Sequence, residues 1–485
     1  MFKNIILNLF AYLILITVTA FSAEVADFMI SEGASQNFPV ISSDADGSTL
    51  ALWIDFRESA GGDIYGQRFD SLGNLVGVNF KVNDAKSGEG NCSQLSLSSN
   101  GVDRAIAVWI DGATVVYQAL DYPNFTKTGD NMAATDIGYN YNSFFPDVGV
   151  AIDKTFVIVW RRRNAETIDD TNSYMRRFGA NLLPTSLGSQ FNDWNGLDIS
   201  NGLESLLYHH APRIAMQLDG QFAVAWIEQR IYQEMGVVSI QLYDATGSAI
   251  GFNKIVTDFE IQIATSSDEK IPPDIIANSN GDYAIAWTGV TGEATAGLWA
   301  RTYDETANPL SPAFRYSDDF TQFIDMSASL IAGPDDNFMG VYYNAGSDDE
   351  NIFVQKFGVS GKLIGSPERV DNDLSGAKQS YPTATVAGDD IHFVWEDFRN
   401  ASGNSDIFSR TANWYSFSTP CGDINGDGNP TNVLDLTYAV DFIFRGGPLP
   451  DYIPAADLDG SGKFNILDLT FIVDFIFRGG PAPVC

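Results

Sequence analysis

The chain has 485 residues, 45% of them hydrophobic and 19% charged, with a formal net charge of −34. That hydrophobic share belongs to a folded chain, and the length exceeds one ordinary compact core unless the core is built from repeats. The charge excludes nucleic-acid or anionic-membrane binding by bulk attraction, which needs a basic footprint, and its plainest reading is solubility.

The N-terminus reads "MFKNIILNLFAYLILITVTAFSAEV". One lysine precedes an apolar run of signal-peptide length, and the small residues Ala20, Ser22 and Ala23 follow, so residues 1–23 are expected to be a cleaved secretory signal, with a retained anchor as the alternative. The mature chain is then secreted, extracellular or held at the cell surface. No later segment is long and apolar enough to span a membrane.

From there to about residue 420 the sequence repeats itself. A short β-type run ends on Trp53, Trp109, Trp160, Trp226 and Trp287, and looser members end on Tyr342 and Trp395; successive spacings lie between 51 and 66 residues. Each unit begins with a proline-containing or apolar stretch ("FPVIS", "FPDVGV", "APRIAM", "PPDIIA", "YPTATV") and a turn such as "DADG", "QLDG" or "NSNG". After the aromatic come a third run ("IYGQRFD", "VSIQLYD", "LWARTYD") and a fourth ("NFKVND"). Short runs rich in β-branched and aromatic residues between turn signals are strands, and four per unit repeated seven times make a seven-bladed β-propeller over residues 24–420. The seventh unit stops short of a fourth strand, while "DFMISEGASQNFP" at the mature N-terminus matches a fourth strand running into the next unit. The N-terminal strand is therefore expected to complete the last blade and close the ring.

Chemistry on the ring is sparse. "WIDFRESAGGDIYGQR" and "WEDFRNASGNSDIFSR" offer Asp55, Glu396 and Asp397 as acids, with Arg57 and Arg399 as anion clamps. Recurrence in two units favours structural ties within a blade, near Asp63 or Asp406, because a catalytic site usually breaks a repeat. Arg161 to Arg163 offer an anion clamp or a solvated strand end, and the adjacent His209 and His210 point apart on a strand. Trp194 and Trp414 are candidate exposed sugar-stacking rings, although propeller tryptophans usually pack between blades. No zinc spacing, G-x-S-x-G, phosphate loop or sialidase-type S-x-D-x-G-x-T-W repeat occurs, and no catalytic residue is assigned.

The C-terminus carries two near-copies, "CGDINGDGNPTNVLDLTYAVDFIFRGGP" from Cys421 and "ADLDGSGKFNILDLTFIVDFIFRGGP" from Ala456. The second reads as a calcium loop: Asp457, Asp459 and Ser461 at positions 1, 3 and 5, Gly462 at 6, the Lys463 carbonyl at 7 and Asp468 at 12. The helix that follows has Leu469, Val473 and Ile476 on one face, and "RGGP" ends it. The first copy offers Asp423, Asn425, Asp427 and Asn429, but its closing Asp435 falls one position late, which puts that site in question. Two calcium ions are expected, one per loop–helix unit (423–447 and 457–480). Cys421 and Cys485 bracket the module, and in an exported chain a disulfide between them would clasp its ends, worth roughly 4 kcal/mol in the chain-entropy model. Cys92 is left as a buried apolar residue.

Residues 421–485 resemble a type I dockerin: tandem calcium loop–helix segments, each without the entering helix of an EF-hand. The resemblance implies a small all-α calcium-binding domain that docks a secreted protein onto a cohesin-type partner. Where such modules often carry hydroxyl residues at loop positions 10 and 11, this chain has Ile466 and Leu467, with Val433 and Leu434 as counterparts. Those residues, with Arg445 and Arg478, are the candidate partner-binding set, and the matched Phe442/Phe475 and Phe444/Phe477 suggest two similar faces. The expected function is calcium-dependent attachment with a propeller for recognition or scaffolding, of a glycan for instance, in polysaccharide-related assemblies. Two alternatives stay open: a dockerin-borne glycoside hydrolase or lyase with its site on the propeller, and a calcium-stiffened tail without a partner.

Overall fold

The computed structural model describes residues 27–483 except 32–34, 85–90, 136–140, 165–170, 186–188, 191–206, 231–234, 258–260, 263–271, 292–294, 318–328, 344–349, 374–375, 401–403, 418–420, 426–428, 451–452 and 462. The signal segment, Trp194, Asp427, Gly462 and Cys485 lie outside the described residues.

Seven antiparallel sheets follow one another along the chain, six with four successive strands as the main path and the seventh with three successive strands and a strand from the N-terminus. The innermost strands of blades 1 to 7 are Gln36–Ser43, Cys92–Ser99, Tyr141–Val150, Leu207–Met216, Asp274–Ala277, Ser329–Ala332 and Gln379–Ala387. Each touches the innermost strand of the next blade, and the last touches the first, so the ring closes. The repeated aromatics Trp53, Trp109, Trp160, Trp226, Trp287, Tyr342 and Trp395 are all buried on second strands. Glycine completes the hairpins before them: Gly47 and Gly281 adopt φ of 83° and 86°, a left-handed conformation that costs glycine little.

The N-terminal segment closes blade 7 as the repeat phase anticipates. Phe28 and Met29 pair with Ser409 and Phe408 on its outer strand. The Ile30 amide donates to the Ile407 carbonyl at 2.8 Å, and Ile407 N–H donates to Ser31 Oγ at 2.8 Å. Ile30 packs among Trp53, Val394 and Ile407, between the first and last blades.

The C-terminal stretch holds two helices, Val433–Arg445 and Ile466–Arg478, and the short Ile453–Ala456 between them. Asn432 and Asn465 are the N-caps, each in a capping box with Asp435 or Asp468, and Gly446 and Gly479 end the helices in the left-handed conformation. The helices bury Ala439 against Leu458, Leu469 and Ile472. The sequence places Val473 on the inner face; Ile472 takes that place, because the helix turns its i+3 neighbour of Leu469 toward the partner. Among the described residues no helix is long and apolar enough to cross a membrane.

Candidate functional sites: the carboxylate loops and the propeller channel

In the second loop, carboxylate oxygens of Asp457, Asp459 and Asp468 lie within 4.8 Å of one another. Asp468 is wholly buried at the first turn of its helix. It accepts from Asp459 N–H at 3.3 Å and Asn465 N–H at 2.7 Å, which brings the loop's two ends together. Ser461 N–H donates to Asp457 Oδ1 at 2.9 Å. The Lys463 carbonyl, at position 7, accepts from the Asn465 side chain at 3.0 Å. The donors are hard oxygens with concentrated negative charge, which fits a calcium ion and suits softer metals poorly.

The first loop repeats this despite its extra residue. Asp435 accepts from Asn425 N–H at 3.2 Å and Asn432 N–H at 2.8 Å, as Asp468 does from its equivalents. The Asn429 carbonyl accepts from the Asn432 side chain, as Lys463 does from Asn465. The insertion falls between these anchors and is absorbed at Thr431, which adopts φ of 57°. The late position of Asp435 in sequence therefore leaves it at the same place on its helix. Cys421 is disulfide-bonded, while Cys92 is buried and takes no part in a disulfide.

The candidate partner residues point outward. Val433, Leu434, Ile466 and Leu467 are 55, 60, 51 and 57% exposed, and Phe444 and Phe477 are 61 and 63% exposed. Arg445 and Arg478 pair one turn back with Asp441 and Asp474, at 3.6 and 3.4 Å. The module also touches blade 6, where Lys362 Nζ donates to the Asn425 carbonyl at 2.8 Å.

On the propeller, both Asp–Arg motifs are ties. Asp55 accepts from Trp53 Nε1 at 2.9 Å and is gripped by Arg57 through Nε at 2.9 Å and Nη2 at 2.7 Å. Asp397 repeats this with Trp395 at 3.0 Å and Arg399 at 3.0 and 2.7 Å, and Arg399 reaches Asp27 as well. Asp63 pairs with Lys81 at 2.9 Å, and Asp406 accepts from Asn400 at 3.0 Å. Glu396 is buried and accepts from Phe38 N–H, across the blade 7–blade 1 junction, at 2.7 Å. Burial pushes its pKa up to about 7.

Arg161 and Arg163 stack over Phe144 at 5.4 and 5.1 Å, while Arg162 stacks over Tyr174 at 4.2 Å, so aromatic faces divide the three. His209 and His210 pair in register with Glu228 and Ile227. Trp414 is fully buried, which corrects its place among exposed rings. It lies against Gly333, where a Cβ would come within 2.1 Å of the indole, and beneath Lys356 Nζ at 4.5 Å.

Sequence reading missed the channel. In five blades the innermost strand has a bulge at a residue of positive φ: Phe38, Gln94, Phe145, Ala211 and Tyr381. At the position opposite the second strand just past it, the seven blades present Val40, Ser96, Asp147, Arg213, Asp274, Ser329 and Thr383. All of these line one cavity of 570 Å³. The charged three fall on consecutive blades. Asp147 accepts from Ser96 Oγ at 2.6 Å and Ile214 N–H at 2.9 Å, and Asp274 from Leu330 N–H at 2.6 Å and Ile275 N–H at 3.0 Å. Burial pushes Asp274 up to about 6. The signal was present: the residue after the repeated proline reads Val, Asp, Arg, Asp and Thr in "FPV", "FPD", "APR", "PPD" and "YPT".

No protein-family profile and no curated protein sequence matches the chain. Among solved structures it is similar to a Hadza microbial sialidase at 8% identity and TM-score 0.42, over 80% of this chain and 69% of that one. The polysaccharide lyase Uly1 aligns at 11% identity and TM-score 0.46, over 80% and 91%. An endo-arabinase from Bacteroides thetaiotaomicron VPI-5482 aligns at 14% and 0.33, over 62% and 100%.

Proposed function

We propose that this is a secreted calcium-binding attachment protein whose C-terminal pair of loop–helix units docks, as a dockerin does, onto a cohesin-type partner, while the propeller recognises or displays. The observation that carries this reading is the gathering of Asp457, Asp459 and Asp468 within 4.8 Å at a helix start. The chain builds the same anchors twice. Bound calcium supplies positive charge that draws each acidic loop onto its helix. Asp457, Asp459, Ser461, the Lys463 carbonyl and Asp468 would hold one ion; Asp423, Asn425, Asp427, the Asn429 carbonyl and Asp435 would hold the other. The exposed apolar pairs Val433/Leu434 and Ile466/Leu467 suit a protein surface better than water. Recognition is assigned to the propeller because Asp55 and Asp397 are each held by an arginine and a tryptophan within their own blade.

The test is a pull-down from the secreted and envelope fraction of the native organism, with the mature chain as bait, in calcium and in chelator. Retention of a cohesin-like protein in calcium alone supports docking. Calcium binding with no retained partner would reduce the module to a stiffened tail.

A further inference from the structure

The channel ring is chemically lopsided, and the imbalance centres on Arg213. Asp147 and Asp274 flank it from the neighbouring blades without a hydrogen bond to it, and Asp274 feels its charge: Asp147 accepts from Ser96 and Ile214 on the blades to either side, and Asp274 from Leu330 on the next blade and from its own neighbour Ile275. Among the described residues, the Arg213 guanidinium has one hydrogen bond, from Nη1 to the Pro212 carbonyl at 3.4 Å. A five-donor planar fork lining a cavity with so little bound to it matches a planar carboxylate, which it can grip through two parallel hydrogen bonds.

The rest of the wall says what that carboxylate is attached to. On blades 6 and 7 the ring carries hydroxyls, with Ser329 Oγ and Thr383 Oγ1 3.4 Å apart. The Phe38 and Tyr381 rings, also in the channel wall, meet edge to face with centroids 4.8 Å apart. Hydroxyls plus an aromatic wall suit a sugar ring, which has polar edges and apolar C–H faces. The 570 Å³ volume lies within the range of small-molecule sites, roughly 300–1,000 Å³. The carboxylates beside Arg213 repel any anion in proportion to its charge, so they oppose a phosphate dianion more than a singly charged ligand.

We propose that the propeller channel binds a small saccharide bearing one carboxylate, a uronic acid in class, with Arg213 as its anchor and the Ser329/Thr383 hydroxyls and Phe38/Tyr381 rings holding the sugar. This rests on the recognition half of the proposed function and names its ligand class; it is independent of C-terminal docking.

The test is a ligand-observed NMR titration of the mature full chain with D-glucuronate, D-glucose and inorganic phosphate, in calcium and in chelator. Glucuronate is expected to bind saturably in both conditions and glucose not to bind. Arg213→Gln should weaken glucuronate by roughly tenfold or more, the loss of a charge-assisted pair. Thr383→Val should weaken it by about threefold, the loss of one neutral hydrogen bond. Thr383→Val keeps the test open if Arg213→Gln fails to fold, because Val40 already occupies this ring position in blade 1. Absence of glucuronate binding, equal binding of phosphate, or indifference to both substitutions would overturn the proposal. Sedimentation with insoluble neutral polysaccharides separates the two levels: capture of these by a chain that does not bind glucuronate would keep propeller recognition and remove the uronate site.

Discussion

Glu396 follows the tryptophan of the last blade, and the structure buries it against the Phe38 amide of the first. Its ordinary pKa of 4.5 is pushed up to about 7 by burial. An acid whose folded-state pKa lies above its unfolded value contributes stability below the unfolded value and loses it as pH rises through the folded one. The contribution of Glu396 is therefore full below 4.5 and gone above about 7. Glu396→Gln keeps an acceptor for Phe38 N–H without titrating. It should gain on the wild type by roughly 3 kcal/mol from acid to mildly alkaline pH in paired denaturant melts; a gap that does not change with pH would refute this. His392 works in the opposite sense, since burial lowers its pKa to about 4 and its contribution is lost as pH falls from 6.5. Asp55 carries a different kind of cost. Asp55→Ala leaves Arg57 and the buried Trp53 Nε1 without their shared acceptor, and should destabilise by about 3 kcal/mol in equilibrium unfolding. Adding Arg57→Ala should then cost little more, because the two act as one tie. That the Asp–Arg motif is structural was legible from its recurrence. The burial of Glu396 was not, because the contact that buries it comes from a residue at the other end of the chain.

At the level of elements, part of the acidity has a local explanation. Asp70, Asp244 and Asp304 occupy the same place in three hairpins, each accepting from the amides two and four residues on. The turn geometry selects Asp there, and charge follows as a by-product. If calcium binds as proposed, the loop–helix units should respond to it separately from the propeller. Chelation should abolish the far-UV helical signal of Val433–Arg445 and Ile466–Arg478 while the β-signal of the propeller persists. Asp468→Ala should reproduce the loss of the second ion in calcium, read as one ion fewer by calorimetry. Leu434→Asp with Leu467→Asp should leave both helices folded and abolish partner retention, since both side chains are exposed. The loop positions and helix ends could be read from the sequence because each is a local pattern. The equivalence of Asp435 and Asp468 could not, because it depends on Thr431 turning back the inserted residue.

For the whole molecule, the decisive contact is the one that shuts the ring. Deleting residues 27–31 removes the strand pairing with Ser409 and Phe408, the Asp27–Arg399 pair and the packing of Ile30. Burial of Ile30 alone is worth roughly 2 kcal/mol, so the truncated chain should melt well below the wild type and expose the edge of blade 7 to association. An unchanged melting temperature would show that the ring holds without its N-terminal strand. The sequence by itself determined the number of blades, the order of strands and the closing role of the first segment, because hydrophobic period, turn residues and repeat phase are properties of neighbouring residues. It also determined the two C-terminal helices and the acidic loops before them, whose residue spacing is local. Only the tertiary structure decided which side chains share the channel. Asp147, Arg213 and Asp274 are more than sixty residues apart in succession, and although each follows the repeated proline, that local mark does not by itself place them in one cavity. They meet because ring closure brings the same position of every blade to one axis. The burial of Trp414 has the same origin, since a ring that could face solvent is covered by Gly333 and Lys356 from another blade.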